Sequence, residues 1–547
     1  MLSDASRRAD STAFPRSFGT NGLVATAHPL ATLTGIQVLA GGGNAVDAAV
    51  AVAAAQNVLL PASCGLGGDV FVVLYDARSG QVYAFNGSGV AANGASADYY
   101  RAQGLRTMPL RGIHAVSVPG EVDAYATLLA RFGTRSLGEL LQPAIGFAED
   151  GVPLVDTVAR QIEGSAPVLS RFPTSERIFL PAGTSPAPGS VFRQPDLAAS
   201  LRTIAREGPR SFYDGSLAEQ ILAFSQAEGG LFDGAEWASH HGELYEPIST
   251  TYRGTTIYET APPSQGLLVL EQLNILEGFD LASLGHCSAD WVHLLVEVKK
   301  LAFADRLRFC GDPRFVDVPL AALISKRFAA RRRQEVDLTR AREPAGAAPE
   351  DLDGDTTYFA VVDRDGNAVS FIHSLSAGFG SGLVAGDTGI LLNNRAGRGF
   401  TLEAEHPNCL APRKRTMHTL NCYLACRDGR PWLVGATPGG DQQPQWNVQV
   451  LSAVLDFGLD PQAAAEAPRF YSFPGTDPAN DGKPFELRIE DRIAESVRGD
   501  LAGRGHRVIA LGPWEAASGV QLIQIDAERG IYVGGSDPRA RGLALGY

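Results

Sequence analysis

At residue 355 the character of this chain changes, and that change limits what it can fold into. Residues 334–355 are rich in charge, Ala, Pro and Gly and carry almost no large apolar side chain. Such a segment cannot build a core and reads as a mobile linker. Directly after it comes Thr356-Thr357-Tyr358-Phe359-Ala360-Val361-Val362-Asp363, a strand-like run. The chain is therefore expected to form two bodies joined at Asp355–Thr356. A threonine hydroxyl is a poor nucleophile without a base. Were the bond before Thr356 cut, its new α-amine, with a pKa near ~8, could accept the hydroxyl proton.

The strand-rich character continues. Thr357 to Val362 and Ala368 to Ile372 flank Asp365-Gly366, a hairpin signal. A two-residue turn there sets Arg364 opposite Asn367 and Leu375 opposite Thr356. Ser374 and Ser376 then fall within a residue or so of the candidate nucleophile, unless a bulge intervenes. Ala436-Thr437-Pro438-Gly439-Gly440 follows an apolar strand-like run. Adjacent glycines let backbone N–H groups face a reacting oxygen, though Pro-Gly-Gly is also an ordinary turn.

Upstream, short strand-like runs alternate with helical ones. Helices are expected at 30–40, 47–58, 137–149 and 294–307, and strands at 70–75 and 82–85, with a mostly helical stretch from 120 to 310. Residues 1–20 lack periodicity and read as disordered. The Ala/Val-rich run from 45 to 62 is interrupted by Asp47, Gln56, Asn57 and Pro61 and reads as a buried helix rather than a membrane span.

Composition narrows the function classes. The 547 residues are 45% hydrophobic and 20% charged, with a net charge of −13. An acidic chain is a poor partner for nucleic acid or an anionic membrane. Six cysteines are too sparse for a disulfide framework and read as buried thiols, and no residues at metal-ligand spacing accompany Cys422 and Cys426. No apolar signal segment follows Met1, so a cytoplasmic location is expected, with neither cofactor nor metal. His240-His241 and Arg331-Arg332-Arg333 read as exposed loop and helix-end residues.

Many ordered segments resemble the γ-glutamyltranspeptidase family of N-terminal-nucleophile hydrolases. They include Gly42-Gly43-Asn44-Ala45-Val46-Asp47, Gly65-Leu66-Gly67-Gly68-Asp69, Val118-Pro119-Gly120-Glu121 and Pro262-Pro263-Ser264. Further along are Ala304-Asp305-Arg306, Gly311-Asp312-Pro313, Thr356-Thr357-Tyr358-Phe359, Gly389-Ile390-Leu391-Leu392-Asn393-Asn394 and Ser536-Asp537-Pro538-Arg539. The resemblance implies an α/β (α+β) fold, a four-layer αββα sandwich formed by two subunits from one precursor. Cleavage at Asp355–Thr356 would leave a large subunit, 21–355 beyond the N-terminal tail, and a small subunit, 356–547. By the same matching Thr356 is the nucleophile, Thr357 shapes its strand, Ser374 supports it, and Gly439 and Gly440 supply the oxyanion hole.

The substrate-holding positions depart from a γ-glutamyl enzyme. Asn86 stands where the family's carboxylate-gripping arginine is expected. Asn393-Asn394-Arg395-Ala396-Gly397-Arg398 has Arg398 or Gly399 in place of an aspartate, and His418-Thr419 replaces a serine pair. With Ser376, these residues make a candidate pocket that disfavours an ammonium and welcomes a carboxylate. This resembles the oxamate amidohydrolase branch. Arg395 and Arg398 could equally be paired within the fold, and His418 could serve local hydrogen bonding. His373 reads as packed rather than as a base.

The expected function is a self-processing amidohydrolase acting on a small carboxylate-bearing amide through a Thr acyl-enzyme. Alternatives are a γ-glutamyl hydrolase or transpeptidase acting on glutathione, and an unprocessed ligand-binding scaffold. The expected partners are the small-molecule substrate and the paired subunits. A dimer of the processed heterodimer is left open.

Overall fold

The computed structural model describes residues 12–342, 354–474 and 485–547. Two seven-stranded antiparallel sheets lie face to face. The first runs in the order Leu543–Gly546, Gly22–Thr26, Gly354–Asp363, Ala368–Ala377, Asp69–Asp76, Gln81–Gly87 and Glu243–Tyr245. The second runs Ser17–Gly19, Ile531–Ser536, Gln521–Asp526, Arg430–Ala436, Tyr423–Arg427, Thr255–Glu259 and Ile248–Tyr252.

Strand side chains alternate between faces, so each central strand feeds two cores. From one face of the first sheet Phe71, Val73, Tyr358, Ala360, Val362 and Ile372 meet Leu420, Cys422, Leu424, Val434 and Ile523 of the second sheet. From its other face Val70, Val72, Phe359, Val361 and Phe371 pack on helices that include Pro29–Ala40 and Ala45–Leu59. The second sheet is likewise backed by Gly266–Leu276, Ala289–Phe309 and Gln443–Leu455. This is the expected αββα sandwich.

The Ala/Val-rich helix Ala45–Leu59 is buried along its whole length. Its small side chains allow close approach to the sheet, and Asn44 and Asp47 close a capping box that starts it. Among the described residues no helix is long and apolar enough to cross a membrane.

Several expectations change. The helix expected over 137–149 breaks into Leu137–Leu140 and Gln142–Asp150. Pro143 lacks the N–H that would continue the ladder. The mostly helical middle also contains strands: the short pair Val152–Pro153 and Val191–Phe192, and Glu243–Tyr245, Ile248–Tyr252 and Thr255–Glu259. His240 is buried, not exposed, and stacks on Tyr213 at 5.2 Å.

Of the tail expected over 1–20, residues 1–11 lie outside the described residues, whereas Ser17–Gly19 is an edge strand paired with Ile531–Ser536. Of the linker expected over 334–355, residues 343–353 lie outside the described residues. Its beginning is packed: Arg342 N donates to Glu297 at 3.1 Å and Ala341 N to Arg504 O at 2.8 Å.

Candidate active site

The hairpin that carries Thr356 is one residue out of the expected register. Asp363 N donates to Asn367 O at 3.1 Å, so the turn contains Arg364, Asp365 and Gly366, with Gly366 at φ 87°. The Asp363 carboxylate prefers this longer loop because it accepts hydrogen bonds from Asp365 N, Asn367 N and Asn367 Nδ2. The strand then pairs Thr357 with His373, while Asp355 pairs with Ser376. The extra residue lies on the partner strand, where Ser374 and Leu375 together face Thr356. Bulges re-aim side chains locally, and here the bulged pair includes Ser374, whose hydroxyl meets that of the candidate nucleophile.

Thr356 is 6% exposed. Its hydroxyl donates to Ser374 Oγ at 3.1 Å, and Ser374 Oγ donates to the Asp355 carbonyl at 2.7 Å. Ser376 N donates to the same Oγ at 2.7 Å. One hydroxyl thus touches both the attacking oxygen and the carbonyl it would attack. The Asp355 side chain is held as well, accepting from Ser63 Oγ at 2.6 Å and Gln161 Nε2 at 3.2 Å. Sequence reasoning missed Ser63 and Gln161, which lie 292 and 194 residues before Asp355.

The Gly439–Gly440 loop follows the strand Arg430–Ala436 and packs against the Thr356 strand. Gln265 Nε2 donates to Gly440 O at 2.9 Å, and Arg306 pairs with Asp441 at 2.6 Å, fixing the loop from two sides. Gly439 sits at φ 132° against Trp446. Among the described hydrogen bonds neither Gly439 N–H nor Gly440 N–H is used as a donor. Donors left available in this way suit a developing oxyanion.

Thr357 Oγ1, Ser376 Oγ and both ring nitrogens of His418 are buried without a hydrogen-bond partner among the described residues. Buried polar atoms are normally satisfied, so each exception near the candidate nucleophile is a possible contact for a ligand. Ser376 also adopts φ 88°, a conformation costing about 1–3 kcal/mol for a non-glycine residue and typical of functional sites. His418 rests on Phe71 at 5.1 Å, and burial, then Arg395 and Arg415, holds its pKa well below the usual range. It is neutral.

Both candidate cations are buried. Arg398 Nη1 donates to Ser376 O at 2.8 Å. Arg395 Nη1 donates to Thr419 Oγ1 at 3.3 Å and its Nε to Asp69 at 3.4 Å. Burial, opposed by Arg395, pushes Asp69 up to about 7. Asp69 therefore cancels only part of the arginine charge near neutral pH. Arg111, also missed from sequence, donates to Gly378 O at 2.7 Å and Gly380 O at 2.5 Å. Burial and then the neighbouring Arg171 and Arg398 lower its pKa.

Two expected substrate contacts are hydrogen-bonded within the fold. Asn394 has both amide ends engaged, accepting from Ala377 N at 3.0 Å and donating to Leu110 O at 3.0 Å, so it frames the pocket. Asn86 Oδ1 accepts from Ser88 N and Ser88 Oγ at 2.9 and 2.6 Å, which turns its strand end. His373 is packed as expected, fully buried between Glu121 and Gln56 at 2.8 and 2.9 Å.

The comparisons agree with this architecture. A family model described as Gamma-glutamyltranspeptidase matches residues 31–547. The glutathione hydrolase-like YwrD proenzyme of Bacillus subtilis is 40% identical, over 96% of this chain and 99% of its own. The oxamate amidohydrolase proenzyme of Klebsiella pneumoniae is 35% identical, over 96% of this chain and 99% of its own. The crystal structure of a cephalosporin acylase from Bacillus halodurans superposes with a TM-score of 0.90 at 35% identity, covering 100% of this chain and 99% of that one. With its two packed sheets, outer helices and end-to-end match, the chain belongs to the γ-glutamyltranspeptidase family of N-terminal-nucleophile amide hydrolases.

Proposed function

We propose that this chain is a proenzyme that cuts itself at Asp355–Thr356 and then hydrolyses a small amide carrying a carboxylate, of the oxamate type. The observation that carries the first part is the relay Thr356 Oγ1 to Ser374 Oγ to Asp355 O at 3.1 and 2.7 Å. Thr356 Oγ1 attacks the Asp355 carbonyl carbon while Ser374 Oγ accepts the hydroxyl proton and passes its own proton to the carbonyl oxygen. The C–N bond breaks, the proton goes to the departing Thr356 nitrogen, and an ester joins Asp355 to Thr356 Oγ1. Water hydrolyses the ester, freeing the Asp355 carboxylate and the Thr356 α-amine.

In the mature enzyme that amine accepts the hydroxyl proton as Thr356 attacks the substrate carbonyl. Gly439 and Gly440 N–H groups hold the oxyanion. The amine of the substrate departs, and water releases the acyl group. The pocket supports a carboxylate because Arg395 and Arg398 are buried beside Ser376 and Thr419, while Asp69 is only partly ionised near neutral pH. It offers no family-type aspartate to an ammonium.

A second reading is a γ-glutamyl hydrolase, supported by the 40% identical relative named glutathione hydrolase-like. Oxamate and glutathione, the latter with and without an acceptor dipeptide, separate the two. Oxamate turnover with little glutathione turnover is expected; efficient use of glutathione with oxamate ignored overturns the first reading. Amino-terminal sequencing of the shorter fragment is expected to read Thr-Thr-Tyr-Phe.

A further inference from the structure

We propose that His293, Glu297 and His506 form a site for a divalent ion of the zinc class that clasps the two cleavage fragments together. The ligand set stands without cleavage; only its role as a clasp rests on the processing proposed above. His293 and Glu297 lie four residues apart on the helix Ala289–Phe309, so they share a face. His506 follows the helix Glu495–Gly503 in the other fragment. All three are buried, and one ligand atom from each lies within 4.8 Å of the others. No short motif announces the set, because 213 residues separate the two histidines.

The chemistry of the set fits an ion. His293 Nε2 meets Asp337 O at 2.8 Å, and a carbonyl only accepts, so Nε2 carries the proton. In the neutral ring Nδ1 is then a lone pair, aimed at His506 Nε2 at 2.7 Å. A ligating histidine held by a backbone carbonyl at its other nitrogen is the usual outer-shell arrangement at zinc.

As the structure stands, His506 Nε2–H donates to that lone pair. Ion binding requires the His506 proton to move to Nδ1, a tautomer change that releases no net proton. Glu297 already accepts from Lys300 Nζ at 2.7 Å and Arg342 N at 3.1 Å, and each of its oxygens retains a second lone pair. Zinc–ligand bonds of about 2.0–2.2 Å in a tetrahedron place neighbouring ligand atoms about 3.3 Å apart. The histidine pair must open by roughly half an ångström, and water completes the fourth position.

The facing cations are Lys300, which is paired with Glu297 at 2.7 Å, and Arg504, which is paired with Asp290 and Asp500 at 2.6 and 3.1 Å. Their charge is therefore largely countered before an ion enters. The rival account is a plain hydrogen-bonded histidine pair.

The processed protein, stripped with EDTA, is titrated with zinc chloride by calorimetry and with cobalt(II) by visible absorption. One equivalent of zinc, tetrahedral cobalt bands and a higher melting temperature are expected. Glu297→Gln and His506→Ala are each expected to weaken zinc binding by more than about 10-fold while amide hydrolysis persists. The uncleaved Thr356→Ala chain is expected to take up zinc like the wild type, so failure of the site and failure of cleavage are read separately. Substoichiometric zinc in the wild type, or uptake that neither ligand substitution weakens, overturns the site. Fragments that part at the same urea concentration with and without zinc overturn the clasp.

Discussion

At the scale of single residues, the decisive group is a hydroxyl with two jobs. Ser374 accepts from Thr356 and donates to the carbonyl of Asp355, whose bond to Thr356 is the one proposed to be cut. Ser374→Ala is expected to slow self-cleavage by about 10²–10³-fold, the usual cost of losing one oxyanion donor. Ser374→Thr keeps the hydroxyl and is expected to restore much of the rate. The rise of the two fragments on denaturing gels checks both. Thr356→Ala is expected to remain one inactive chain, and Thr356→Ser to process more slowly.

Asp69 carries a separate consequence. Its pKa is about 7 in the fold, against about 3.9 in the unfolded chain. Between those values the native state holds a proton that the unfolded state has lost. Its contribution to stability therefore falls as pH rises from about 4 through 7 and is level above. Asp69→Asn is expected to flatten that part of the wild-type melting profile. Because ionised Asp69 also offsets Arg395, the KM for a carboxylate substrate is expected to rise as pH passes through about 7.

At the scale of elements, the hairpin and the glycine loop show what sequence patterns can and cannot carry. The strand pair itself was legible from alternating apolar residues around Asp365-Gly366. Its register was not, because the Asp363 carboxylate captures three amide donors and lengthens the turn. The bulge opposite Thr356 was invisible for a related reason: side-chain patterns specify faces, whereas bulges arise from pairing across the sheet.

Ser374 meets the Thr356 hydroxyl, and the Gly439–Gly440 loop packs on the strand that carries Thr356. Ser63, Gln161 and Asp69 were not foreseen in the site, because each comes from an element far along the chain. Asp69 did stand in a motif already noted, Gly65 to Asp69, and that was the one signal available. In the glycine loop, a Cβ at Gly439 would meet Trp446 Cζ3 at 2.3 Å, and its φ of 132° is strained for any other residue. Gly439→Ala is thus expected to shift the loop and lower the melting temperature while lowering kcat by about 100-fold or more, since an oxyanion donor leaves its place. Steady-state kinetics beside a thermal melt distinguish that outcome from unfolding.

At the scale of the whole molecule, the two sides of the Asp355–Thr356 bond are woven through the same sheets. The strand Gly354–Asp363 lies between Gly22–Thr26 and Ala368–Ala377, and Leu543–Gly546 flanks Gly22–Thr26 on its other edge. The second sheet alternates in the same way, with Tyr423–Arg427 against Thr255–Glu259 and Ser17–Gly19 against Ile531–Ser536. Parting the fragments would break backbone ladders in both sheets and expose the core between them, whose apolar side chains come from both fragments. Burial worth about 25 cal/mol per Å² makes that separation equivalent to unfolding. Cleavage should therefore change the covalent chain without changing the unit that melts. The processed protein is expected to run on a native sizing column as one species containing both fragments and to unfold in a single transition. Separate elution of a 356–547 fragment under native conditions would show that the interleaved sheets do not hold it.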